Sequence, residues 1–151
     1  MASAAYLRQC IYSVGLGNND YLNNYFMPQM YSTSRQYTPV QYADVLLIQQ
    51  FFSTTKGGLR QLRATKVALI GVGQIGCSPN TLANSPDGRT CVERINSACR
   101  LFNDRLRNMV DNLNNNLDDA QFIYVNAYGI FDNIIRNPAS NGKSLNDMLT
   151  Q

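Results

Sequence analysis

Histidine is missing from all 151 residues of the chain. Its absence removes the commonest general base and the commonest metal ligand, and with them every Ser-His or Cys-His catalytic pair this chain could form by itself. Tryptophan is missing too, charged residues reach only 15%, and 13 Lys and Arg against 10 Asp and Glu leave a net charge of +3. So small an excess builds no broad basic surface, and no nucleic-acid partner is expected. No run approaches the roughly 18 apolar residues of a bilayer-spanning helix, so no membrane span is expected either. The four cysteines, Cys10, Cys77, Cys91 and Cys99, contain no C-x-x-C pair. Without histidine they cannot make the usual mixed zinc site, and no metal is expected. The first residues lack a basic segment followed by a long apolar one, so they carry no recognisable secretory signal. That fits either a cytoplasmic chain or one whose true N-terminus is not included.

What is present suits one globular domain, residues 1–151, with 44% hydrophobic residues to bury. Gln9 to Leu16 is a β-branched and aromatic run ending in the turn formers Gly17, Asn18, Asn19 and Asp20, and reads as a strand entering a loop. The Tyr- and Asn-rich stretch from Tyr21 to Tyr37 has no clean period and reads as irregular, with one helical turn. Thr38, Pro39 and Gln41 supply a capping hydroxyl, a first-turn proline and a reciprocal amide, which starts a helix running to about Thr55. Gly57 and Gly58 break it before Leu59 to Leu62. Lys66 to Gly71 is a short, wholly apolar strand of the kind buried on both faces of a parallel sheet.

Glycines and prolines from Val72 to Arg89 mark a long loop. Thr90 with Glu93 then reads as a capping box, followed by Val92, Ile95, Cys99, Phe102, Leu106, Met109, Leu113 and Leu117 at helical steps. Asn112 to Asn116 reads as its polar end. Phe122 to Val125 is a further short buried strand, and Ala127 to Arg136 a helix stopped by Asn137 and Pro138. Alternating strands and helices predict an α/β domain with parallel crossovers, although three strands make a thin sheet.

Gly71-Val72-Gly73-Gln74-Ile75-Gly76 matches G-x-G-x-x-G directly after a strand. A dinucleotide site needs a helix opening within those glycines, whereas Cys77 to Asn80 reads as continuing loop, so no cofactor is expected there. Arg89, Arg94, Arg100, Arg105 and Arg107 read as a solvated helix face, and Tyr21, Tyr25, Tyr31 and Tyr37 as loop packing. No serine has a histidine partner and no G-x-S-x-G elbow occurs. Gly17 to Asp20 stands at the C-terminal end of a strand, where open α/β sheets hold ligands. An asparagine there serves either as a turn former or, through its side-chain NH₂, as a donor to a developing oxyanion. Cys77 and Cys91 bracket a turn-rich loop and are the pair best placed for a disulfide, with buried free thiols as the alternative.

Ile11 to Tyr25 and Lys66 to Pro79, with Arg94-Ile95-Asn96, Leu101-Phe102-Asn103 and Asn126 to Phe131, resemble the plant GDSL esterase/lipase family, a branch of the SGNH hydrolases. The similarity covers about residues 6–142, with a divergent tail over 143–151. It implies a flavodoxin-like three-layer α/β/α fold and cleavage of carboxylic esters of lipids or small acyl compounds, without a cofactor. Family members use a serine nucleophile, a histidine base oriented by an aspartate, and an oxyanion hole that includes an asparagine side chain. Of these only the asparagine carries over, as Asn19, with Gly17 and Asp20 shaping its loop. The resemblance implies that the serine and glycine blocks precede this stretch and the D-x-x-H block follows it, so the chain is expected to be a central portion, inactive by itself. A non-catalytic binding module on the same fold, offering Asn19 and the Tyr21 to Tyr37 stretch to a ligand, is the alternative. Family members are secreted, which favours the Cys77–Cys91 disulfide, a closure of about fifteen residues contributing roughly 3 kcal/mol in the chain-entropy model.

Overall fold

The computed structural model describes residues 4–55 and 64–142. The expected break at Gly57 and Gly58, the stretch Leu59 to Leu62, and the tail 143–151 lie outside the described residues. In chain order the elements are α1 (Ala4–Gln9), β1 (Ile11–Gly15), α2 (Asn18–Asp20) running into a π-turn (Tyr21–Tyr25), α3 (Thr33–Gln36) and α4 (Pro39–Thr55). There follow β2 (Lys66–Ile70), a 3₁₀ turn (Ile75–Cys77), α5 (Pro79–Ala83), α6 (Glu93–Asn116), β3 (Gln121–Val125) and α7 (Ala127–Arg136). The three strands form one parallel sheet in the order β1-β2-β3, with Tyr12, Val67 and Phe122 in register.

Short apolar strands separated by helices can only pair in parallel through crossovers, which is the observed topology. Both crossover helices, α4 and α6, pack against each other over the face carrying Val14, Val67, Leu69, Phe122 and Tyr124. Two crossovers that step the same way and land on the same face have the same hand. Helix α4 begins with the reciprocal cap: Gln41 N–H donates to Thr38 Oγ1 at 3.3 Å and Thr38 N–H to Gln41 Oε1 at 2.9 Å. Its Tyr42, Ala43 and Leu46 meet Ile95, Cys99, Phe102, Leu106, Val110 and Leu113 of α6 in the core. Among the described residues no helix is long and apolar enough to cross a membrane.

Several local expectations need correction. The Thr90–Glu93 capping box does not form. Val92 N–H donates to the Gly76 carbonyl at 2.8 Å and Cys91 is bonded to Cys77, so the chain is held extended until Glu93 opens the helix. Thr90 instead bonds Asp87, and Glu93 pairs with Arg100. The stretch after Cys77 is not plain loop: Ser78 Oγ accepts from Thr81 N–H at 3.4 Å and caps α5. Residues 18–36 likewise hold three helical pieces where one turn was expected. β2 is buried on both faces through Val67, Ala68 and Leu69, but β3 is not, because the register turns Ile123 to the face opposite α4 and α6, where it is 57% exposed and Ile11 70%. Leu117 falls beyond the end of α6 and is exposed.

The arginines of α6 reach other elements rather than only water. Arg105 Nε lies 2.7 Å from Asp44 Oδ1, Arg100 donates to the Tyr128 hydroxyl at 2.7 Å, and Arg94 and Arg107 stand over the Phe26 and Tyr124 rings. Asn114 is not simply part of a polar end. Gln121 N–H bonds back to Thr65 in the β2 direction, which leaves the N–H and C=O of Phe122 facing the open edge of β3. The Asn114 amide pairs with both, each at 2.8 Å, and so blunts an edge that would otherwise recruit another strand.

Candidate functional site

The carboxyl ends of the three strands carry the Gly17 turn, the Gly71–Cys77 segment and the start of α7. The first turn owes its shape to Gly17, which has φ +112° and is buried. A side chain there would be strained, and its Cβ would also fall 2.6 Å from Val72 Cγ2. Asp20, three residues on, reaches back so that Gly17 N–H donates to Asp20 Oδ2 at 3.2 Å, while Tyr21 N–H donates to the Gly17 carbonyl at 2.9 Å. The turn is therefore capped by Asp20 rather than built as an Asx turn by either asparagine.

Behind it an aromatic cluster sets the rest. Tyr21 is fully buried, edge-on to Tyr25, Tyr42 and Phe102 and stacked on Phe26. The Tyr42 hydroxyl donates to the Asp20 carbonyl at 3.2 Å. Two of the four tyrosines of the stretch, Tyr21 and Tyr25, are thus core residues, while Tyr31 and Tyr37 stay exposed. Burial pushes the Tyr42 hydroxyl up to about 12 and the Tyr21 hydroxyl well above the usual tyrosine range.

Asn19 sits on the solvent side of this turn and is exposed. Its Oδ1 accepts from Asn23 Nδ2 at 3.4 Å, which orients the amide and directs its own NH₂ away from Asn23. Chemically, Asn19 offers a neutral hydrogen-bond donor on a rigid turn at the end of a parallel strand. No general base comes from histidine, since the chain has none. The thiol of Cys99 is buried in the core and pushed up to about 12 by that burial, which leaves it inert as a nucleophile. Among the described residues no three His, Cys, Asp or Glu side chains are grouped to hold a metal.

The Gly71–Gly76 glycines serve the protein's own packing. Val72 N–H is taken by Asn103 and Gly76 N–H by Asn96 Oδ1 at 2.9 Å, and a Cβ on Gly76 would fall 2.5 Å from the Val92 carbonyl oxygen. The close approach that glycine permits at Gly76 is to Val92 and Asn96 at the start of α6. Cys77 is bonded to Cys91 with Cα atoms 4.4 Å apart, and Asn96 Nδ2 lies 3.4 Å from the Cys77 sulfur. An open depression of about 510 Å³ between Asn114, Leu117 and Phe122 lies at the opposite, amino-terminal end of β3 and takes no part in this arrangement.

Residues 1–145 match the sequence model of the GDSL-like Lipase/Acylhydrolase family. The chain belongs to that family. Among similar GDSL proteins of Arabidopsis thaliana, GDSL esterase/lipase At1g29670 is 62% identical over 140 residues, 93% of this chain and 38% of that protein. GDSL esterase/lipase At1g29660 is 61% identical over 141 residues, with the same two shares, and GDSL esterase/lipase At5g45670 is 59% identical over 138 residues, 91% of this chain and 38% of that protein. The chain thus spans about 38% of the length of these GDSL relatives. The parallel three-stranded sheet with its crossover helices is the α/β architecture expected of the family.

Two residues that support the site escaped sequence reading as such: Asn96 and Asn103. Each is a buried amide set within the apolar stripe of α6, at a spacing of seven that keeps the two on one face. A polar residue recurring on a buried face is the signal that could have found them, since buried amides are kept only where they are bonded.

Proposed function

We propose that this chain supplies the oxyanion-donor portion of a GDSL-type hydrolase that cleaves carboxylic esters of lipids or small acyl compounds, with Asn19 as the donor. The carrying observation is the exposed Asn19 amide on a turn fixed by Gly17 and Asp20 at the carboxyl end of β1. When a nucleophile adds to an ester carbonyl, the charge gathers on oxygen, and a donor about 2.7–3.1 Å from that oxygen stabilises the transition state more than the substrate. Gly17 lets the backbone turn sharply enough to present the amide, and Asp20 and the Tyr42 hydroxyl keep it from relaxing. Asn19 donates a hydrogen bond but attacks nothing, so nucleophile and base come from residues beyond this sequence. A disulfide between Cys77 and Cys91 suits an oxidising compartment and supports secretion as the setting.

The absence of histidine favours a second reading, a binding module that holds an acyl ligand at Asn19 without turning it over. Hydrolysis of a short-chain chromogenic ester by the oxidised chain, beside Asn19→Ala, tests the first reading. No Asn19-dependent turnover is expected from the chain alone. Turnover abolished by Asn19→Ala would reveal a nucleophile within this sequence and overturn that account, and saturable ligand binding without turnover in any reconstituted form would support the module.

A further inference from the structure

Asn103 lies on the buried face of α6 beside Phe102 and is almost wholly enclosed. Its amide makes two bonds to a single residue: Val72 N–H donates to Asn103 Oδ1 at 2.8 Å, and Asn103 Nδ2 donates to the Val72 carbonyl at 2.8 Å. Val72 stands past the end of β2, where the sheet ladder has stopped, so these buried peptide groups depend on Asn103 for their partners.

Fixing that backbone also fixes the Val72 side chain, which is fully buried. Val72 Cγ2 occupies the space beside Gly17 so tightly that a Cβ there would come to 2.6 Å, and the Phe102 ring lies 3.7 Å from the same point. Val72 and Phe102 together are the floor on which Gly17 rests, two residues before Asn19. Helix α6 thereby reaches the β1 turn through Val72 and Phe102.

We propose that Asn103 is a positioning residue for Asn19, acting through its paired bonds to Val72 and the seating of Gly17 on the Val72 side chain. Its catalytic meaning rests on the reading of Asn19 as the oxyanion donor, but its geometry does not. Val72 is fully buried and leaves no room for a Cβ at Gly17, so a displacement at Val72 passes to Gly17 instead of being absorbed by a flexible side chain.

The test is made on the ¹⁵N-labelled, disulfide-intact chain by comparing amide spectra of wild type, Asn103→Leu, Val72→Ala and Leu113→Ala. Leu113 is a buried core residue ten positions along α6, about 15 Å from Asn103, and its loss destabilises the fold without reaching the turn. Asn103→Leu and Val72→Ala are expected to displace the Gly17 backbone and Asn19 side-chain NH₂ signals. They should also speed hydrogen exchange severalfold at the Tyr21 amide, which donates to Gly17. Leu113→Ala should leave all three in place. Unmoved Asn19 signals in Asn103→Leu and Val72→Ala, or equal movement in Leu113→Ala, would overturn the proposal. Should Asn103→Leu fail to fold, the smaller Asn103→Ala, which also removes both bonds to the Val72 backbone, is read on the same signals and the same two outcomes. Failure of the ester reading is seen separately, as an Asn19→Ala variant that leaves reconstituted hydrolysis unchanged.

Discussion

Replacing Gly17 by alanine perturbs the turn in two separable ways. The backbone at φ +112° is outside the region that residues with a Cβ tolerate, a strain of about 1–3 kcal/mol. The new methyl would also sit 2.6 Å from Val72 Cγ2, an overpacking that adds about 1–3 kcal/mol. The sum, about 2–6 kcal/mol, is comparable with a large part of the roughly 5–15 kcal/mol that holds a domain folded. Val72→Ala alone loses about 2 kcal/mol of buried apolar surface. In the double variant the methyl clash disappears while the φ strain remains, so the two losses should fall short of additivity by about 1–3 kcal/mol. Urea unfolding of the oxidised single and double variants, followed by far-ultraviolet circular dichroism, measures all four stabilities. A Gly17→Ala chain within about 0.5 kcal/mol of wild type, or strictly additive losses, would refute the placement of Gly17 on Val72.

Reducing the Cys77–Cys91 bond, or replacing both cysteines by serine, should lower stability by about 3 kcal/mol, since it frees a loop with a sequence separation of 14; equal midpoints with and without reductant would contradict this. Tyr21→Phe should stabilise the chain by about 1 kcal/mol, because among the described residues the buried Tyr21 hydroxyl has no hydrogen-bond partner. Burial raises the hydroxyls of Tyr21, Tyr25 and Tyr42 in the folded chain, Tyr42 to about 12, above the unfolded value near 10. Their contribution is therefore complete below about pH 10 and is lost as pH rises through the folded values, because the unfolded chain releases those protons first. Tyr21→Phe should flatten that alkaline fall, and an unchanged slope would count against it.

The layout of strands and long helices was legible because period and punctuation agree. Lys66 to Ile70 is apolar throughout, and Thr38, Pro39 and Gln41 form a cap whose two bonds are both present. Local reading failed where long-range contacts override local chemistry. Thr90 and Glu93 have the spacing of a capping box, but the Cys77–Cys91 link and the Val92–Gly76 bond hold the chain out of helix at that point. The tyrosines after Asp20 showed no period because a π-turn shifts the phase between Tyr21 and Tyr25. At the site, the turn could be located from Gly17 to Asp20, whereas its support could not. Asn103 acts through Val72, thirty-one residues away in sequence, and only the fold brings them together. The exposure of Ile123 has a similar origin, since strand register, invisible in a run of apolar residues, decides which face each one takes.

The central claim is that Asn19 is an oxyanion donor awaiting a nucleophile from outside this sequence. Its most direct measurement replaces the matching stretch of the 62%-identical Arabidopsis GDSL relative with this chain and compares ester hydrolysis by that chimera with its Asn19→Ala variant. An active chimera whose kcat falls by about 10²–10³ with little change in KM is the predicted result. An active chimera indifferent to Asn19→Ala would contradict the account.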